Sequence, residues 1–235
     1  MIDVGLLASL AILVIVPTVF VRPWPASAAE AGFIDTSSGS LIVGIVVGRV
    51  VAVGIDDPGS LTSLSDLIVV RSGVEFWPGV AAGIAWMAFR ARHDEVAPVR
   101  RLAAITAPAL IAWACYEATC LLRDGCPGPV GSIGLRPDGL VKRMLPIGLI
   151  VAVAAAAAAI VLRRLHRRGM ADLEVVTLTI TAIAAIRSIA SIWLPHIGDR
   201  LTRQHQTSIA VLIATSTVFV VVRARTPRFQ KTVSQ

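Results

Sequence analysis

The chain has 235 residues, 55% of them hydrophobic and only 16% charged, with a mean hydropathy of +0.76. A water-soluble globular domain carries about a quarter charged residues and a disordered chain far fewer apolar ones, so both classes are excluded. The net charge of +7 comes from 22 basic and 15 acidic side chains; the basic residues flank apolar stretches, which points to orientation in a bilayer and contact with lipid headgroups, and not to nucleic acid.

A helix crossing roughly 30 Å of hydrocarbon needs about 20 mostly apolar residues. Seven stretches approach this: 2–21, 39–55, 73–89, 102–122, 145–162, 173–194 and 207–222. The expected fold is all-α, a single polytopic transmembrane domain over 1–235 with seven helices and a basic cytoplasmic tail at 223–235. The first stretch precedes Ala26-Ser27-Ala28, which looks like a signal-peptide cleavage site. Its start holds Asp3 and no Lys or Arg, and its apolar run is long, so it is read as an uncleaved helix.

The second stretch contains Arg49 and ends in the turn Asp56-Asp57-Pro58-Gly59. Residues 60–71 are too short to span and apolar enough to lie at the interface. Glu117 stands beside Tyr116 in the fourth stretch, and the Gly- and Pro-rich loop 123–144 reads as irregular and exposed. The fifth holds six consecutive alanines, 154–159, small enough for close helix approach in lipid. Arg187 lies within the sixth.

Loop Lys and Arg set the orientation. With the N-terminus outside, the inner loops hold thirteen: Arg22; Arg90, Arg92, Arg100 and Arg101; Arg163, Arg164, Arg167 and Arg168; Arg223, Arg225, Arg228 and Lys231. The outer loops hold seven: Arg71; Arg123, Arg136, Lys142 and Arg143; Arg200 and Arg203. The balance favours N-out and C-in.

Arg49 and Arg187 are left inside the membrane. Arg49 is expected near mid-helix, roughly 15 Å from the inner boundary at 1.5 Å per residue, where a charge needs a partner or a function. Asp66, Glu75 and Glu117 are the acidic groups available to pair with the two arginines. A pair made by Glu117 would serve as a structural bolt as readily as a site. Cys120 and Cys126 could form a disulfide on an oxidising outer side, leaving Cys115 as a small packing residue. The four histidines, His93, His166, His196 and His205, fall in loops or at helix ends, so a histidine-based triad or zinc site is not expected. No glycine-rich phosphate loop occurs.

Three stretches carry a resemblance: GRVVAVGIDDPGSLTSLSDLIVVRSGVEFWPGVAAG (48–83), CYEATCLLRDGCPG (115–128) and AAIRSIAS around Arg187. Together with the seven-helix, N-out plan they resemble the prolipoprotein diacylglyceryl transferases of bacterial inner membranes, over roughly residues 40–222. Members of that family move a diacylglyceryl group from phosphatidylglycerol to the thiol of a lipobox cysteine on the outer face, without a metal or soluble cofactor. The resemblance implies a multi-pass protein of the bacterial inner (cytoplasmic) membrane, with Arg49, Arg123 and Arg187 as lipid-binding residues. Its implied partners are a phospholipid, phosphatidylglycerol first, and a lipoprotein or another membrane protein.

The family's polar positions are altered here. Glu75 and Trp77 fall in its Gly-Gly-x-Ser-Phe-His-Gly-Gly stretch, with Trp77 at the histidine. Glu117 stands at the signature arginine, Cys120 at an Asn of many members, and Ser191 where the family has Glu. Of Pro-x-Gln-Leu-Tyr-Glu, only Pro146 and Leu149 remain. The expectation is a diverged, non-catalytic member that binds phospholipid or lipoprotein or serves as a subunit of an envelope complex. Two alternatives stay open: an active phosphatidylglycerol–prolipoprotein diacylglyceryl transferase with a rearranged site, and a small-solute transporter.

Overall fold

The computed structural model describes residues 33–62, 74–94, 96–122, 126, 128–136, 142–193 and 202–225, together with 11, 12, 15, 16 and 19. The longer described stretches form helices α1 (Phe33–Asp56), α2 (Phe76–His93), α3 (Pro98–Ala118), α4 (Ile147–Arg167), α5 (Asp172–Trp193) and α6 (Arg203–Arg225). Single 3-10 turns follow α1 (Pro58–Thr62) and α3 (Thr119–Leu122). Before α4, β1 (Val130–Gly131) and β2 (Arg143–Met144) pair antiparallel, with Val130 opposite Met144.

Among the described residues five helical stretches are long and apolar enough to cross a membrane: Thr36–Asp56, Pro98–Leu122, Ile147–Arg167, Asp172–Trp193 and Arg203–Arg225. Ile42, Val46, Val153, Ile160, Ile213 and Val220 stay exposed on them, an arrangement that lipid tolerates and water penalises. The chain is built as a multi-pass membrane protein. Seven qualifying stretches were expected, and the difference has two sources. Helix α2, over the third predicted stretch, has 18 residues and carries Arg90, Arg92 and His93 in its last turn. The first predicted stretch lies largely outside the described residues, with 11, 12, 15, 16 and 19 helical. Residues 63–71 of the expected interfacial segment also lie outside them. The predicted tail begins as helix, since α6 runs to Arg225.

In lipid no hydrophobic force separates one apolar helix from another, so shape decides packing. Small residues four apart, Ser40, Gly44 and Gly48 on α1, meet Gly79 and Gly83 on α2. A Cβ on Gly44 would lie 2.9 Å from the Gly79 carbonyl oxygen, and one on Gly79 would lie 2.7 Å from that of Gly44. The Ser40 hydroxyl donates to the Gly83 carbonyl at 2.8 Å. These contacts run in opposite directions along the two helices, which are therefore antiparallel.

The alanine run of α4 works on one face. Ala152, Ala155 and Ala159 are buried, and Ala159 packs with Ala107 and Leu110 of α3, while Val153 and Val161 face outward. Helices alternate in direction, so two ends form. One gathers the ends of α1, α3 and α5, and Cys120 and Cys126 are joined there. The other gathers the ends of α2, α4 and α6 and is rich in arginine.

Candidate functional site

At the disulfide end a cleft of about 70 Å³ opens between α3, α4, α5 and α6. A water molecule needs roughly 10–15 Å³ of such space, so the cleft holds a few waters or the polar end of a ligand. Glu117, Arg187, Ser191, Gln204 and Ser208 are its polar lining, and Trp113, Ile147 and Val151 are among its apolar lining. Ile147, Val151 and Ala190 form one packed cluster beside it.

Arg187 lies six residues before the end of α5, roughly 9 Å along the axis at 1.5 Å per residue. This puts it in the leaflet on the disulfide side, away from mid-bilayer. Its guanidinium carbon lies over the Phe76 ring, 3.9 Å from the centroid, a cation–π contact. Among the described residues nothing accepts a hydrogen bond from its N–H groups. They remain available to whatever enters the cleft.

Glu117 occupies the last turn of α3. One of its oxygens accepts from the Trp113 indole N–H at 2.8 Å. Among the described residues Arg187 makes no ion pair with Glu117 or Glu75. The expected Glu117 bolt is thus not closed: indole holds the carboxylate and the Phe76 ring holds the guanidinium.

Glu75 is committed elsewhere. Arg203, at the start of α6, donates from Nε to Glu75 at 2.7 Å and from Nη2 to Asp56 at 3.0 Å. A loop arginine counted only for orientation therefore ties α6 to the junction of α1 and α2. Trp77 donates to the buried Ser208 hydroxyl oxygen at 3.0 Å. Ser191 and His205 Nδ1 lie 2.7 Å apart, and the Ser191 hydroxyl reaches the Ser188 carbonyl at 3.0 Å. Both contacts are satisfied together when His205 donates to Ser191 and Ser191 donates to Ser188.

Arg49 is buried at 7% exposure, but it does not line the cleft. Nor is it at mid-helix: α1 begins at Phe33, earlier than expected, which leaves Arg49 seven residues from Asp56, or roughly 10 Å. Beside it, the Glu75 backbone N–H donates to the Gly48 carbonyl at 3.0 Å. Arg123 and Asp66 lie outside the described residues. Cys120, through its bond to Cys126, pins the end of α3, and Gly148 of α4 packs on it. A Cβ on Gly148 would lie 2.7 Å from Cys120 Sγ and 3.1 Å from the Glu117 carbonyl oxygen.

Sequence reasoning did not weigh Gln204 or Ser208 and set His205 aside as a helix-end residue. Residues 203–208 are all polar, so the sequence pattern singles out no one side of this helix start. Among the described residues no cluster of His, Cys, Asp or Glu is arranged to hold a metal ion. Among the described residues the arrangement offers one cation without an ion pair, one half-used carboxylate and neutral donors in a small cleft. No family model matches the chain, and no curated protein matches it.

Proposed function

We propose that this protein resides in a bacterial cytoplasmic membrane with N-out, C-in topology and seven crossings. In this reading it is a diverged relative of the prolipoprotein diacylglyceryl transferases that holds a phospholipid by its phosphate and transfers nothing. The observation that carries this is Arg187. A guanidinium in a low-dielectric layer with no acceptor among the described residues is costly, and a lipid phosphate entering between the helices supplies the planar, bidentate acceptor it fits. The topology is supported by chemistry at both ends: a disulfide belongs on an oxidising side, and the opposite end holds Arg163, Arg164 and Arg167 on α4, Arg168 just after it, and Arg223 and Arg225 on α6.

Transfer to a thiol needs a base for the thiol proton and positive charge on the departing glycerol phosphate. Among the described lining residues Glu117 offsets Arg187, which argues for binding without turnover. His205 favours a second reading, a transferase with a rearranged site, because it brings an imidazole next to the cleft through Ser191. Restored growth of a transferase-deficient strain by this gene would establish that reading over the first.

The lipid-holding reading is tested with Arg187→Lys. Lysine keeps the charge and loses the fork. Mass spectrometry of lipid retained after gentle extraction should show several-fold less phospholipid at unchanged thermal stability; retention equal to wild type removes the reading.

A further inference from the structure

Glu117 is the part of the cleft that phosphate binding leaves unexplained. Its second oxygen has no hydrogen-bond donor among the described residues, and it shares the lining with Arg187 without pairing to it. A plain anion satisfies the arginine while placing a phosphate beside a carboxylate, a repulsive arrangement in a low dielectric. A ligand that bears both charges satisfies both groups. Resting on the lipid-holding reading, we propose that the cleft takes an ammonium–phosphate zwitterion, an ethanolamine-phosphate headgroup in preference to a glycerol-phosphate one.

The geometry gives each part of that group a partner. Phosphate meets the N–H groups of Arg187, whose guanidinium the Phe76 ring holds by a cation–π contact. Ser208 accepts from Trp77, so its own proton is left to donate to a phosphate oxygen. The primary ammonium, with three donors, meets the free oxygen of Glu117. A trimethylated ammonium has no donor for that oxygen. The cleft therefore discriminates against choline as well as glycerol headgroups. The depth of Arg187, six residues inside the end of α5, favours a lipid-borne headgroup over the free compound.

The test uses the full chain in nanodiscs of equal phosphatidylethanolamine and phosphatidylglycerol, with the lipid carried through gentle extraction counted by mass spectrometry. A charge-assisted hydrogen bond implies enrichment of the ethanolamine lipid by roughly tenfold or more over the bath. Glu117→Gln should bring the ratio close to one while lipid is still carried. The Gln side-chain oxygen still accepts from Trp113, so the fold is kept, and an unchanged thermal transition confirms it. A wild-type measurement independent of any variant replaces the ethanolamine lipid by phosphatidylcholine, which should not be enriched. Preference for the glycerol lipid, or an ethanolamine preference that survives Glu117→Gln, overturns the inference and leaves lipid holding intact; a wild-type protein carrying no lipid removes the underlying reading itself. Soluble O-phosphoethanolamine distinguishes the sources. If it raises the thermal transition of wild type and not of Glu117→Gln while neither lipid is enriched, the occupant is the free zwitterion. If neither it nor the ethanolamine lipid has any effect, the inference falls.

Discussion

The two ends of the bundle treat charge in opposite ways. At the arginine-rich end the described acids are paired. Arg101, buried at 4% exposure, bonds Asp94 and reaches Thr36; His166 holds Asp172 at 2.9 Å; Arg223 holds the buried Glu174 at 3.0 Å. At the disulfide end Arg203 settles Glu75 and Asp56, but Arg187 and Glu117 line one cleft with no ion pair or hydrogen bond between them among the described residues. Pairs that satisfy one another fasten helices. Charges kept apart in a space lined by polar groups are arranged for something else.

The sharpest way to break this contrast is to remove one arginine from each end. Arg187→Ala should cut retained phospholipid by roughly tenfold or more with little change in thermal stability. Arg223→Ala should do the reverse. It strands Glu174, which is 1% exposed, and an unsatisfied buried charge costs about 1–3 kcal/mol or more, while lipid retention stays at the wild-type level. If both variants lose stability and neither loses lipid, the ends do not differ in kind.

Gly148→Ala comes next. The added methyl must displace the Cys120 sulfur or the end of α3, an overpacking cost of about 1–3 kcal/mol. Because that contact forms a wall of the cleft, retained lipid should fall with stability, unlike in Arg223→Ala. Glu174→Gln is milder. Arg223 has 62% of its side chain exposed and finds water or headgroups once its partner is neutral, so a loss below about 1 kcal/mol is expected. Equal losses from Glu174→Gln and Arg223→Ala would show that burial of the carboxylate is not what makes the pair matter.

The smallest effect is one of pH. Hydrogen bonding from Arg101 first, with the charges of Arg101 and Arg90 adding, holds the Asp94 carboxyl below its ordinary value of 3.8. A depressed carboxylate stabilises the fold above its unfolded value, and that contribution is lost as pH falls through the folded one. Thermal unfolding of wild type and Asp94→Asn should therefore differ near neutrality and converge only below about pH 4. Convergence at pH 5 or 6 would mean that Asp94 is not held by Arg101.

The long apolar stretches of α1, α3, α4, α5 and α6 were legible because a membrane span is a local property: length and hydropathy suffice whatever the neighbours are. The close packing of α4 was readable from its alanines, though not which face packs, and so was the availability of Cys120 and Cys126 to each other, six residues apart in the chain. Small residues four apart in α1 and α2 were visible too, although nothing in them says that Gly44 meets Gly79. Which polar groups meet was decided by tertiary structure alone. Glu75 is 128 positions from Arg203, Trp77 is 131 from Ser208, and Glu174 is 49 from Arg223. Such pairs depend on the rotation and depth of each helix against its neighbours, and side-chain shape sets these in a medium where apolarity favours no particular contact. The same reason explains why Arg49 and Arg187, equivalent as lone charges in apolar segments, end differently, one buried away from the cleft and the other lining it.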